Sequence, residues 1–321
     1  MKRLLIIFLS LMIVILTACD SSEKKSEVKI PTTKEELGEL LFSDPILSQG
    51  NQISCASCHI PAFAFSDTVA LSKGVDGKLG TRNSPSAMNL AARSSFFHDG
   101  RAGTLEEQAS GPIENPVEMN LPIREAVKKL NANAAYLSYF KKIFNKSADT
   151  ANLVDAISSF ERTLETGNSP FDRYMHGDTT AISESAKRGQ KIFNVKAKCF
   201  DCHFGPDFTG DEFRNIGLYN SKELNDAGRY EITKSTSDIG KFKTPGLRNI
   251  AVTGPYMHNG MFKTLPEVID YYDKPQQFVK ESMNTDTLLS KPLNLTDAEK
   301  YDLHEFLKCL TDERFKDVVK K

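Results

Sequence analysis

Two short stretches carry the residues best equipped for chemistry: Cys55-Ala56-Ser57-Cys58-His59 and Cys199-Phe200-Asp201-Cys202-His203. A C-x-x-C-H run is the attachment sequence for a c-type haem. Its two thiols, one helical turn apart, form thioethers to the porphyrin vinyls, and the adjoining histidine binds the iron. Paired cysteines also suit zinc or a redox disulfide. A zinc site would have to join the two pairs across 144 residues, and neither pair would need a histidine beside it. Two complete copies point to two covalent haems. Cys55, Cys58, Cys199 and Cys202 are then the attachment points, and His59 and His203 the iron ligands.

At 321 residues the chain has room for two domains of ordinary size. Its 41 basic and 42 acidic residues give no case for binding nucleic acid. Of six cysteines, four lie in the haem motifs, leaving Cys19 and Cys309. Cys309 falls in a helical pattern and reads as a small buried apolar residue. A cross-link through it between molecules is the alternative, so a homodimer is open to this chain.

The N-terminus sets the compartment. Lys2 and Arg3 precede an apolar run over residues 4–16, short for a membrane span and typical of a signal peptide. Leu16-Thr17-Ala18-Cys19 then has the form of a bacterial lipobox, in which cleavage leaves Cys19 as a lipid-modified N-terminus. An ordinary signal peptide with a chance cysteine is the alternative. Several acyl chains on one residue anchor stably. Residues 20–32 begin polar, rich in Ser, Glu and Lys, and read as a flexible tether. Covalent haem attachment also occurs outside the cytoplasm. The expectation is an exported protein, lipid-anchored at the periplasmic face of a bacterial membrane.

The elements that position the motifs follow. Thr33 and Glu36 have capping-box spacing and open a helix with Leu37, Leu40 and Leu41, which Ser43-Asp44-Pro45 stops. Residues 60–95 read as a loop wrapping the first haem. From Pro122 the pattern is helical, with Leu153, Ala156, Ile157, Phe160 and Leu164 as an apolar stripe. Gly167-Asn168-Ser169-Pro170 breaks it and begins a domain junction. A helix from Ser183 to Phe193 leads into the second motif. Thr296 and Glu299 cap a last helix carrying Leu303, Phe306, Leu307 and Leu310. The expected fold is mostly α: two cytochrome c-like haem domains with long loops, residues 33–175 and 176–321, related by internal duplication.

The duplication shows in the spacing. His98-Asp99-Gly100 is followed by Thr104, Leu105 and Glu107, and His258-Asn259-Gly260 by Thr264, Leu265 and Glu267, at identical offsets. Fourteen residues after His258 stands Tyr272; fourteen after His98 stands Pro112, which has no side-chain ligand to offer. If the repeat holds in space, the second iron is closed by a tyrosine oxygen while the first stays open for peroxide. Met257, Met261 and Met283 are fallback ligands, and the plainer alternative is that Tyr272 packs without ligation, a role equally open to Tyr271 beside it. Splitting peroxide needs a group that takes a proton from one oxygen and returns it to the other. Glu118 follows the open position and is the candidate, with Glu114 as competitor, and Gln108 is placed to orient peroxide by hydrogen bonding.

At these residues the chain resembles the bacterial di-haem cytochrome c peroxidases and their MauG-type relatives. The likeness spans residues 34–313. Besides the two haem motifs it rests on Arg82-Asn83-Ser84-Pro85, Asp99-Gly100-Arg101-Ala102, Leu105-Glu106-Glu107-Gln108, the stretch 111–119, and Phe242-Lys243-Thr244-Pro245-Gly246-Leu247-Arg248-Asn249. The resemblance implies a peroxidatic first haem with Glu118 and Gln108 on its distal side, and a second haem that accepts electrons from a donor. It also implies a calcium ion between the domains, held by Asn83 and backbone carbonyls near Lys243 and Pro245. Three departures stand out. The loop Leu71-Ser72-Lys73-Gly74-Val75 lacks the distal histidine of members that need prior reduction. Tyr272 stands where those members have methionine, as in the MauG type. His98 replaces the tryptophan usual between the haems, and the chain has no tryptophan at all. His98 then either binds a haem propionate or packs.

Three functions compete. The first is a peroxidase reducing hydrogen peroxide to water with electrons from a small cytochrome c or copper protein. The second is MauG-like oxidation of side chains on a partner protein. The third is a carrier or sensor that does not turn over, against which Glu118 beside an open iron argues.

Overall fold

The computed structural model describes residues 30–319. The signal segment, Cys19 and the tether up to residue 29 lie outside the described residues. The first half runs α1 (Lys34–Ser43), α2 (Leu105–Glu114), α3 (Ile123–Ala132), α4 (Ala134–Phe144) and α5 (Thr150–Glu161). The second runs α6 (Pro170–Met175), α7 (Glu184–Lys191), α8 (Tyr230–Thr233), α9 (Leu265–Asp273), α10 (Pro275–Phe278), α11 (Asp297–Lys308) and α12 (Lys316–Val319). One antiparallel pair, β1 (Phe213–Arg214) with β2 (Phe242–Lys243), is the only sheet among the described residues.

Each half is built on one close helix crossing. A Cβ on Gly38 of α1 would lie 2.0 Å from the Ala156 carbonyl oxygen of α5, and one on Gly189 of α7 would lie 1.9 Å from that of Asp302 in α11. Only glycine lets the two backbones approach so closely. One turn on, Phe42 meets Phe160 and Phe193 meets Phe306, both edge to face at 5.2 Å. The crossings head two apolar cores. Leu37, Leu41, Ile113, Leu130, Phe140 and Ile157 fill the first, and Phe171, Phe193, Phe208, Leu303, Phe306 and Leu310 the second.

The repeat inferred from the histidines is structural. Thr104 caps α2 and Thr264 caps α9, each accepting the amide of the glutamate three residues on. The bridges Phe96 to Ala102 and Tyr256 to Phe262 match at the same spacing. The halves then exchange reciprocal bonds: Asn83 N–H donates to the His258 carbonyl at 2.7 Å, and Lys243 N–H to that of His98 at 2.8 Å. Arg82 closes this seam, donating to Asp99 at 2.5 Å and through Nε and Nη2 to Asp226 at 2.7 and 2.8 Å.

Local details differ from expectation. Thr33 does cap α1, but Glu36 reaches back to the amide and hydroxyl of Thr32 (2.8 and 2.7 Å), one residue beyond the box. α5 ends at Glu161, so Leu164 is buried outside it. After Lys191 the chain widens into a π turn over Ile192–Lys196, which delivers it to the second haem motif. Cys309 is only partly buried and follows α11, its Sγ 3.2 Å from the Glu305 carbonyl oxygen.

Candidate active site

Both haem motifs fold as a tight 3-10 turn, Cys55–Ser57 and Cys199–Asp201. The His59 and His203 amides donate to the carbonyls of Cys55 and Cys199 at 2.9 and 2.8 Å, winding two thiols and an imidazole round one turn. His59 Nδ1 lies 3.1 Å from the Phe65 carbonyl oxygen. His203 Nδ1 lies 2.9 Å from that of Phe208 and 3.1 Å from that of Pro245. A carbonyl only accepts, so Nδ1 carries the proton in both rings and Nε2 keeps its lone pair for a metal. Burial pushes both imidazoles below their usual pKa, which keeps them neutral. Burial also pushes the Cys55 and Cys199 thiols up to about 12, so neither is poised as a reactive thiolate. Among the described residues no three His, Cys, Asp or Glu side chains converge on a metal position, so the two pairs do not form a joint zinc site. The donor set fits two c-type haems.

Beyond the motifs the halves diverge. Pro112 lies inside α2, and Tyr272 occupies the matching place on α9. Tyr272 sits close enough to Cys199 and Cys202 for their charges to act on it, and burial pushes its phenol up. Its neighbour Tyr271 is fully buried and donates to the Ile216 carbonyl at 2.5 Å, whereas no hydrogen bond engages the Tyr272 hydroxyl among the described residues. Of the fallback ligands, Met261 and Met283 are exposed, and Met257 packs into the same cluster as Tyr272.

Glu118 is placed beside the first motif, where its charge acts on both Cys55 and Cys58. Burial pushes its carboxyl up; a 2.6 Å hydrogen bond from Asn115 Nδ2 and the charge of Arg101 pull it back. The loop at residues 71–75 clamps this segment. Val75 N–H donates to the Glu118 carbonyl at 2.8 Å, and a Cβ on Gly74 would lie 2.2 Å from the Val117 carbonyl oxygen. Glu114 is exposed and accepts the amide of Ile123 at 3.1 Å, tying it to the start of α3. Gln108 is half-buried one turn before Pro112, on the same face of α2.

Other placements could not be read from the sequence. His98 Nε2 donates to the Asn83 carbonyl at 2.9 Å, so its ring belongs to the seam between the halves. His258 stacks on Phe242 at 3.8 Å. Arg101 lies over the Phe97 ring at 3.4 Å, which in turn fills the space beside Gly111. Of the three residues suggested for calcium, Asn83 and Lys243 each bond across the seam through their backbone amides, to His258 and His98. The Pro245 carbonyl accepts from His203, the Asn83 amide nitrogen donates to Val69 and Ala70, and the Lys243 ammonium pairs with Asp211.

Residues 32–180 match the family model described as di-haem cytochrome c peroxidase, and residues 186–311 the cytochrome c model. The methylamine utilization protein MauG of Methylorubrum extorquens is 37% identical over 287 residues, covering 88% of this chain and 80% of that protein. The cytochrome-c peroxidase IdrP1 of a Pseudomonas species is 35% identical over 310 residues, covering 87% and 80%. A crystal structure of a MauG-like protein associated with microbial copper homeostasis superposes with a TM-score of 0.79 at 32% identity, covering 88% of this chain and 92% of that one. With its motifs, its repeated helix crossings and these relatives, the chain belongs to the di-haem cytochrome c peroxidase family that includes MauG.

Proposed function

We propose that the protein reduces hydrogen peroxide to water with electrons from a small redox protein, a cytochrome c or a copper protein. The overall step is balanced by two electrons and two protons for each peroxide, giving two waters. When bound, the haems supply redox-active iron, the first for peroxide and the second for electrons arriving from the donor. His59 and His203, with Nε2 left free, would hold the two irons, and the four motif cysteines would tether the rings. Tyr272, whose hydroxyl has no partner among the described residues, would be the residue to close the second site, whereas Pro112 at the matching place has no side-chain ligand to offer. Glu118 takes a proton from one peroxide oxygen and passes it to the other, so that the leaving oxygen departs as water. A carboxyl raised by burial is suited to both halves of that transfer. Gln108 orients the peroxide by hydrogen bonding.

The observation that carries this reading is Glu118: a carboxyl raised by burial, beside the first motif, next to a position with no ligand to offer. Glu118→Gln should keep both haem spectra and lose turnover by about 10²–10⁴-fold, the usual reach of a general acid–base group. Near-normal turnover refutes the role.

A second reading, oxidation of side chains on a partner protein, is favoured by the likeness to MauG and by Tyr272. The absence of tryptophan from the chain weighs against it, because no indole can relay an oxidising equivalent. Export, lipid attachment at Cys19 and a place at the periplasmic face are part of the proposal, tested by labelling with a radioactive fatty acid. A calcium ion held by Asn83 and the backbone carbonyls near Lys243 and Pro245 is part of the proposal on the family resemblance alone, and the Pro245 carbonyl already accepts from His203. Metal analysis of the purified protein decides it.

A further inference from the structure

Glu161 ends α5 with only 6% of its surface exposed, and its Oε2 is enclosed without a hydrogen-bond partner. Its charge acts on Cys55, and its neighbour Phe160 shares an apolar cluster with that cysteine. The carboxyl therefore lies beside the attachment edge of the first haem. Burial pushes it up to about 8, with Arg162 opposing and Glu106 reinforcing. Those two groups are paired with each other at 2.7 Å and partly exposed, so neither supplies Glu161 with a partner.

The internal repeat shows that the fold does not need an acid here. Gly38 against Ala156 and Gly189 against Asp302 align α5 with α11, which matches Phe160 to Phe306 and Glu161 to Leu307. Leu307 is 7% exposed and belongs to the second core. An aliphatic side chain thus satisfies this crossing in the second half, while the first half carries an unpartnered acid that burial penalises. The acid stands only in the half that holds the proposed peroxide site.

We propose that Glu161 is a proton site linked to the redox state of the first haem. Its carboxylate binds one proton when that haem gains an electron, and releases it when the electron leaves. The electron comes from the redox partner and the proton from solvent, so the net charge held in the pocket stays constant. The linkage requires only a haem at Cys55; its bearing on turnover rests on the peroxidase reading above.

The test is a spectroelectrochemical titration of the holoprotein from about pH 6 to about pH 9, a window bracketing the raised carboxyl. Wild type, Glu161→Gln and Glu161→Leu are compared, the last copying the residue already tolerated in the second half. In the wild type the midpoint potential of the first haem should fall as pH rises, and in both variants that slope should flatten, with the second haem as an unchanged internal control. Equal slopes in all three proteins overturn the proposal. A slope lost in the variants, with no peroxide turnover in any of the three, upholds the proton site and sinks the peroxidase reading instead.

Discussion

Replacing Asn115 with alanine tests Glu118 as the acid–base group without removing it. Asn115 Nδ2 donates to Glu118 Oε1 at 2.6 Å, a bond that favours the ionised carboxylate. A hydrogen bond to a charged group contributes about 1.5–3 kcal/mol. Glu118 is only partly buried, so the lower end, about 1.5 kcal/mol, applies, and this is close to tenfold in the ionised population. Losing the bond raises the proton affinity of a carboxyl that burial has already raised. A base works only when ionised, so on the acid limb Asn115→Ala should react with peroxide about tenfold more slowly than wild type at the same pH. On the alkaline plateau the two should agree. Stopped-flow mixing of the ferric protein with peroxide, followed across pH, reads both regions. A limb that stays in place, or a uniform drop at every pH, refutes the assignment.

Further substitutions probe the scaffold and the second haem. Tyr272→Phe should change the spectrum of the second haem alone, whereas Tyr271→Phe should leave both spectra intact and cost about 1 kcal/mol through its lost bond to Ile216. Gly38→Ala and Gly189→Ala should each lower stability by at least about 1–3 kcal/mol, because the added methyl meets backbone rather than a movable side chain. Thermal unfolding measures both. Asp226→Asn weakens the bidentate pair with Arg82 across the seam and should cost about 1–2 kcal/mol near neutral pH. Arg82 holds the Asp226 carboxyl below its usual pKa against the opposing effect of burial. Its stabilisation is therefore full above the unfolded value of about 4 and disappears as pH falls through the lower folded one, so variant and wild type should converge in acid.

The haem motifs, the helical class and the repeat were legible because each is a local pattern. C-x-x-C-H is self-contained, and Thr104 and Thr264 announce the caps of α2 and α9 within a single turn. Features that depend on what lies opposite were not legible. Gly38 and Gly189 look like weak helix residues until the carbonyls of Ala156 and Asp302 appear against them. Glu161, the last residue of α5, carries no sequence pattern that sets it apart, and only the packing of α5 buries it. Glu118 and Glu114 could be ranked by sequence but were separated by geometry, one beside the cysteines and one at the edge of α3. The two roles weighed for His98 did not name its bond to the Asn83 carbonyl, because that bond closes across a fifteen-residue loop.

The most direct measurement mixes the fully oxidised protein with hydrogen peroxide and a reduced small cytochrome c, and follows oxidation of the cytochrome. With no ligand offered at Pro112 and no histidine in the loop at residues 71–75, turnover should begin without prior reduction of the protein. No reaction with peroxide until an electron is supplied would contradict an open first haem, and with it the division of labour between the two halves.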